Sequence, residues 1–231
     1  MRRFALTRNT FVSFWISCRA MSTSTTKKAA IAQLCSTSNK FQNLLDIAVC
    51  ARMAKAQGAS MLFLPECFGF MGEKSGQTLE EAENPVMEDT NVNDSEVTES
   101  LIATVSGKQE QTRVKSGDNK SIFLLDALRT IASESGLWIS GGGMHVSGAP
   151  PDELTGNPRV YNTHIILDDS GGLRALYRKI HLFDVSIPGK VQLRESATTA
   201  PGKKLVVCDS PIGTSMDGQW MVGMRDSIDF T

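Results

Sequence analysis

The stretch AAIAQLCSTSNKFQNLLDIAVCARMAKAQGASMLFLPECF, residues 29–68, decides the fold. AAIAQLC (29–35) is a short apolar run with small residues interleaved, the pattern of a buried strand. After Ser and Asn capping candidates, Phe41, Leu44, Leu45, Ala48, Val49 and Met53 recur near helical spacing, and Gly58 supplies a stop. SMLFLP (60–65) is a second buried strand. A helical crossover between two strands predicts that they lie parallel, which places the chain in the α/β class.

Downstream, residues 71–119 are rich in Glu, Asp, Ser, Thr, Asn and Gly without a clear period, which predicts a long polar surface loop or insertion. SIFLLDALRTIASESG (121–136) is a second amphipathic helix with a glycine stop, and LWISGGGMH (137–145) a third strand running into a glycine-rich bend. Gly141, Gly142 and Gly143 lack the G-K-[ST] of a phosphate loop, so they predict close approach of another backbone or of a ligand. RVYNTHIILDD (159–169) and LRALYRKIHLF (173–183) flank SGG as a hairpin, and KLVVCDSPIG (204–213) is one more strand and turn.

Composition narrows the function classes. With 231 residues, 41% of them hydrophobic, the chain can bury one large core or two small ones. A formal net charge of −1 and no basic stripe give no electrostatic reason to expect nucleic acid or an anionic membrane as partner. The five cysteines, at 18, 35, 50, 67 and 208, are scattered and odd in number, and read as reduced intracellular thiols. Neither they nor His145, His164 and His181 show metal-ligand spacing, so no metal or cofactor is expected. Residues 1–26 carry Arg2, Arg3, Arg8 and Arg19, many Ser and Thr, and no acid, the composition of a mitochondrial targeting leader expected to lie outside the fold. Its apolar run FVSFWIS is too short to span a bilayer.

Ligands of α/β sheets meet the carboxyl ends of strands. Glu66 follows the apolar run Leu62 to Pro65 and qualifies as a general base. In LYRKIHLFD, alternation sends Arg178 and Lys179 to opposite faces, so one of the two cations faces the protein. An inward lysine there can pair with a buried carboxylate and stabilise an oxyanion. Cys67, beside Glu66, invites a nucleophile reading. Neighbours in an extended segment point to opposite faces, however, and Cys67 is read as a packing residue.

Together LFLPECF (62–68), YNTHIILDDSGGLRALYRKIHLFDVSIPGK (161–190) and LRESATTAPG (193–202) resemble the nitrilase, or carbon–nitrogen hydrolase, superfamily, most closely its branch of deaminated glutathione amidases and omega-amidases. The resemblance implies a domain over 27–214 that forms part of an α-β-β-α sandwich, incomplete at its C-terminus, and that commonly assembles into oligomers. It implies a Glu-Lys-Cys mechanism for a small amide substrate, with Glu66 as general base, Lys179 as oxyanion stabiliser and a cysteine in a strand-to-helix elbow as nucleophile. That cysteine is expected after SPIGT (210–214). Residues 215–231 instead read SMDGQWMVGMRDSIDFT, a tail that departs from the family pattern, and no cysteine follows Cys208. Cys208 itself falls on the preceding strand.

A further family glutamate is sought after the glycine-rich strand, where Glu153 is a loose match and His145 reads as a hydrogen-bonded strand-end residue. The expectation is thus an amide hydrolase lacking its nucleophile. The alternative is a non-catalytic interaction or regulatory protein on the amidase scaffold, assembling as a homo-oligomer or as a mixed oligomer with full-length subunits. Localisation is expected to be mitochondrial, cytoplasmic or both. A fusion of residues 1–26 to a fluorescent reporter is predicted to enter mitochondria, and a purely diffuse cytosolic signal would overturn the leader reading.

Overall fold

A computed structural model describes residues 3–7, 10–15, 27–74, 76–83, 95–108, 122–189, 191–212 and 220–221. Strands β1 (Arg3–Thr7) and β2 (Thr10–Trp15) precede β3 (Ala29–Gln33), α1 (Lys40–Ala56) and β4 (Met61–Phe63). Short helix α2 (Gln77–Glu80), α3 (Ser95–Val105) and α4 (Leu124–Ser135) follow, then β5 (Trp138–Val146), β6 (Tyr161–Leu167) and β7 (Leu173–Arg178). Beyond the main sheet lie a hairpin, β8 (Asp184–Ile187) with β9 (Val191–Arg194), and a two-stranded pair, β10 (Val207–Cys208) with β11 (Trp220–Met221).

The seven-stranded sheet runs in sequence order from β1 to β7. As the crossover argument predicts, β3 and β4 are parallel, with Ile31 opposite Phe63, and β4 and β5 are parallel too. β5, β6 and β7 form an antiparallel meander, which confirms the hairpin around SGG. β2 lies antiparallel along β3, so residues 3–7 and 10–15 are not outside the fold as the leader reading expected. The physical reason is the free edge of β3, whose unpaired backbone groups accept any extended segment. Much of the expected leader and most of the tail 215–231 fall outside the described residues.

One face of the sheet carries the core. Registered across β3, β4 and β5, Ala30, Leu62 and Ile139 are all fully buried beneath α1 and α4. α1 opens at Asn39, whose side chain accepts from Gln42 N–H at 3.0 Å, and it buries residues around most of its circumference because sheet, α3 and α4 all pack on it. The opposite face holds a smaller cluster of Met61, Ile166, Ala175, Tyr177 and Cys208, and at its β3 end Ile31 is 45% exposed.

α3 corrects the reading of 71–119 as a structureless polar loop. Val97, Leu101 and Val105, spaced by four, are buried against α1 and α4, and this packing holds an otherwise polar segment in a helix. Residues 84–94 and 109–121 of that region are outside the described residues.

A buried ion pair locks α1, α2 and α4 together. Glu83, 7% exposed, pairs its backbone with β5 through His145 and Ser147, and its carboxylate accepts from the N–H groups of Leu124 and Leu125 at the start of α4. α4 has no cap from its own N-cap residue Phe123, so Glu83 serves from a distance. Lys40, 3% exposed, reaches Glu81 at 3.0 Å and Glu83 at 3.4 Å, keeping that buried charge compensated.

On the second face, His164 Nε2 meets Ser140 Oγ at 2.8 Å, and burial pushes the imidazole down to about 4. An unfolded histidine binds its proton near pH 6.5, so between these values the unfolded state holds more protons than the folded one. Stability from this group is therefore complete above about pH 6.5 and falls as pH drops toward 4. Urea unfolding at pH 7 and pH 5 is expected to show His164→Gln losing roughly 2 kcal/mol less than the wild type over that interval. Equal losses in both proteins would refute this assignment.

Candidate active site

The site lies where β4 ends. Leu64 N–H still bonds to Ser140 C=O, at 2.9 Å, and after Pro65 the chain bends so that Cys67 N–H bonds to Gly143 C=O, also at 2.9 Å. This second stitch leaves out the usual register of β5, where the β5–β6 pairing slips between Ser140 and Gly143. Gly142 has φ +53°, and a Cβ on it would sit 2.1 Å from Pro65 C=O. A Cβ on Gly143 would meet Asn162 Oδ1 at 2.2 Å and Glu66 Cγ at 3.3 Å. The triple glycine therefore permits the close backbone approach that its sequence predicted, and it seats Glu66 against β5 and β6.

Lys179 follows the last residue of β7. Its N–H bonds to Asn162 C=O and its C=O accepts from Gly202 N–H, both at 2.8 Å, so its backbone is fixed from two sides. Arg178 turns the other way and stacks its guanidinium 4.0 Å from the Tyr161 ring centre, which fulfils the opposite-face expectation. Lys179 Nζ lies 3.1 Å from Glu66 Oε1 and 3.0 Å from Glu195 Oε2. Glu195 opens the 3₁₀ turn Glu195–Ala197 after β9, and its Oε2 also accepts from Phe183 N–H at 2.6 Å. The buried amide of Asn162, in β6, donates through Nδ2 to Glu66 Oε1 and, at 3.3 Å, to Glu195 Oε1.

The electrostatics follow from this arrangement. Burial lowers the Lys179 ammonium, but hydrogen bonds and charge from Glu195 and Glu66 outweigh it and hold the group above the usual lysine value. Lys179 is therefore a cation at neutral pH. Glu195 is raised by burial and lowered more by Phe183 N–H, Lys179 and Asn162, so it stays below the ordinary carboxylate range. His145, nearby on β5, is kept below its ordinary value by burial against the opposing pull of Glu195 and Glu66, and is neutral.

Glu66 and Lys179 are thus brought together, and Glu153 is not with them. Glu153 sits exposed in the turn between β5 and β6, so the second carboxylate of the site is Glu195, in LRES. The signal available for Glu195 was its place just past the apolar alternation of VQLR, the same signal that marked Glu66. Asn162 gave a weaker one, a polar residue inside a strand.

Cys67 departs from extended geometry, with φ +55°, the left-handed region rarely occupied by side chains other than glycine. Its side chain lines a small cleft with Phe70, Thr78, Glu81, Leu124 and His145, and no hydrogen bond joins it to Glu66 among the described residues. Burial, then the charges of Glu66 and Glu195, push its thiol up to about 11 against the opposing charge of Lys179. Cys208 packs on the second face with Met61 and Tyr177, and its thiol is raised by burial. Among the described residues no cluster of His, Cys, Asp and Glu is able to hold a metal ion, and no helix is long and apolar enough to cross a membrane.

Glu66, Lys179 and Glu195 thus form one cluster of two carboxylates and a cation at strand ends, and comparison with known proteins gives the family. The carbon-nitrogen hydrolase profile matches residues 28–224, and the chain belongs to that family. The match runs past residue 214, into the segment read above as a tail. The deaminated glutathione amidase of Bos taurus is 34% identical over 185 residues, which cover 80% of this chain and 44% of that protein. The nitrilase and fragile histidine triad fusion protein NitFhit of Drosophila melanogaster is 32% identical over 80% of this chain and 30% of its own length. The crystal structure of the C. elegans NitFhit protein superposes with a TM-score of 0.53 at 27% identity, covering 80% of this chain and 35% of that one. The chain spans less than half the length of each.

The raised Cys67 thiol gives a direct check. Its alkylation by iodoacetamide, followed by mass spectrometry, is expected to rise about tenfold per pH unit from pH 7 to pH 10, because thiolate remains the minor form throughout. A rate that levels off by pH 8 would contradict a thiol held near 11.

Proposed function

We propose that this chain carries the acid–base half of an amidase site acting on a small ω-amide or N-acyl carboxylate, with deaminated glutathione the favoured substrate. The observation that carries the reading is the Lys179 ammonium held between Glu66 and Glu195 at 3.1 and 3.0 Å. The activity named for the similar mammalian proteins supports the choice of substrate. In this reading a thiol attacks the amide carbon while Glu66 takes its proton. Lys179 faces the negative oxygen of the tetrahedral intermediate, and Glu195 keeps that ammonium charged and aimed. Collapse of the intermediate breaks the carbon–nitrogen bond, and the proton on Glu66 leaves with ammonia. Water, deprotonated by Glu66, then hydrolyses the thioester and restores the thiol.

None of the four described thiols, Cys35, Cys50, Cys67 and Cys208, is hydrogen-bonded to Glu66. Cys67 has its thiol pushed up by burial and by the two acids, and Cys208 lies in the second-face cluster. The 231-residue chain is therefore a binding and proton-transfer site without turnover of its own. Two measurements separate the claims. Purified chain is expected to release no ammonia from deaminated glutathione above a buffer control, and turnover that Cys67→Ser abolishes would overturn the assignment of Cys67. Isothermal titration is expected to show deaminated glutathione binding that Lys179→Ala weakens at least tenfold, and equal binding by both proteins would overturn the site.

A further inference from the structure

We propose that Asn162 is a positioning residue of the Glu66–Lys179–Glu195 site, whose side-chain amide ties the two carboxylates together around a single ammonium. The inference rests on the amidase reading above and adds to it the means by which one lysine serves two acids.

The problem the amide solves is electrostatic. Glu66 Oε1 and Glu195 Oε2 both lie within about 3.1 Å of one Nζ, so two negative charges converge on one positive charge in a partly buried setting. Two carboxylates brought to one site repel each other, and the single ammonium compensates only one negative charge. Unopposed, that repulsion would draw one carboxylate away from Lys179.

Asn162 opposes that outcome. Its Nδ2 carries two hydrogens, which lets one amide bond to Glu66 Oε1 and Glu195 Oε1, and the bond to Glu195 helps hold that carboxyl below its ordinary range. The reverse orientation, with Oδ1 against two carboxylate oxygens, would be repulsive. In the observed one Oδ1 turns toward Gly143, where any Cβ would collide with it at 2.2 Å. Asn162 is 4% exposed, so its amide is held from within the fold. The remaining ionisable groups facing the pair are Lys179 from the end of β7, His145 from β5 and Cys67 from the bend after β4. Besides Lys179, the donors to the pair are Phe183 N–H, which reaches Glu195 alone, and the Asn162 amide, which reaches both carboxylates.

Nuclear magnetic resonance of the 231-residue chain tests this without any turnover. In the wild type the Asn162 side-chain amide protons are expected to shift as the Glu195 carboxyl carbon titrates, because the amide is bonded to that acid. Asn162→Asp, nearly isosteric, sets a third acid against the pair and is expected to move the Glu195 titration upward by roughly one unit or more. Amide protons that stay fixed while Glu195 titrates, or a Glu195 curve unchanged in Asn162→Asp, would overturn the proposal. If Asn162→Asp does not fold, the wild-type amide protons decide alone. A chain that binds no amide substrate would sink the amidase reading while leaving these outcomes intact. A flat Asn162 response would do the converse.

Discussion

The ammonium of Lys179 is the constraint to which the rest of the site answers. A lysine in a partly buried position tends to lose its proton, and only the opposing carboxylates of Glu66 and Glu195 reverse that tendency. Those carboxylates come from chain segments far apart in sequence, one past β4 and one past the β8–β9 hairpin. Their meeting depends on backbone stitches: Cys67 to Gly143, Lys179 to Asn162, Gly202 to Lys179. Each stitch crosses between elements, so the position of the charge cluster is set by the sheet. The flexible stem of any one side chain matters less.

The same logic explains the slip of register in β5. A regular strand would carry side chains at 142 and 143 into Pro65 and Asn162. Glycine removes them, the strand bulges, and the loop after β4 closes onto β5 tightly enough to bring Glu66 against β6. Glu83 secures the outer side of that loop region by pairing with the end of β5 while capping α4. Buried charges thus appear twice, and both times they join elements that hydrophobic packing alone would leave free to slide.

Much of this was legible in the sequence, for identifiable reasons. The strand–helix–strand unit, the β6–β7 hairpin and the glycine approach rest on local periodicity and on the absence of a Cβ, which do not depend on distant residues. Glu66 and Lys179 stood out because each ends an apolar run. α3 carried a usable signal, Val97, Leu101 and Val105 at intervals of four, masked by the polarity of its surroundings. Glu195 was hidden because its role depends on where the β8–β9 hairpin returns the chain, and Glu153 lies closer in sequence to the glycines yet points to solvent. The Lys40–Glu83 pair had no local signal at all, since its partners become neighbours only when α1 and α4 pack on the same face.

The charge balance of the cluster also bears on how any thiol could act there. Two acidic side chains meet one ammonium here, so the cluster holds more acid than base. A thiolate formed in advance would add a third negative charge to a partly desolvated space. Cys67 registers this field, with both acids raising its thiol and only Lys179 opposing them. Effective attack by a thiol in such surroundings therefore requires that its proton pass to Glu66 as the carbon–sulfur bond forms, so that negative charge moves toward Lys179 without accumulating on sulfur. That requirement makes the distance between the thiol and Glu66 decisive. Adjacency in sequence does not satisfy it: Cys67 sits in a left-handed turn and makes no hydrogen bond to Glu66 among the described residues, while Glu66 Oε1 meets the lysine.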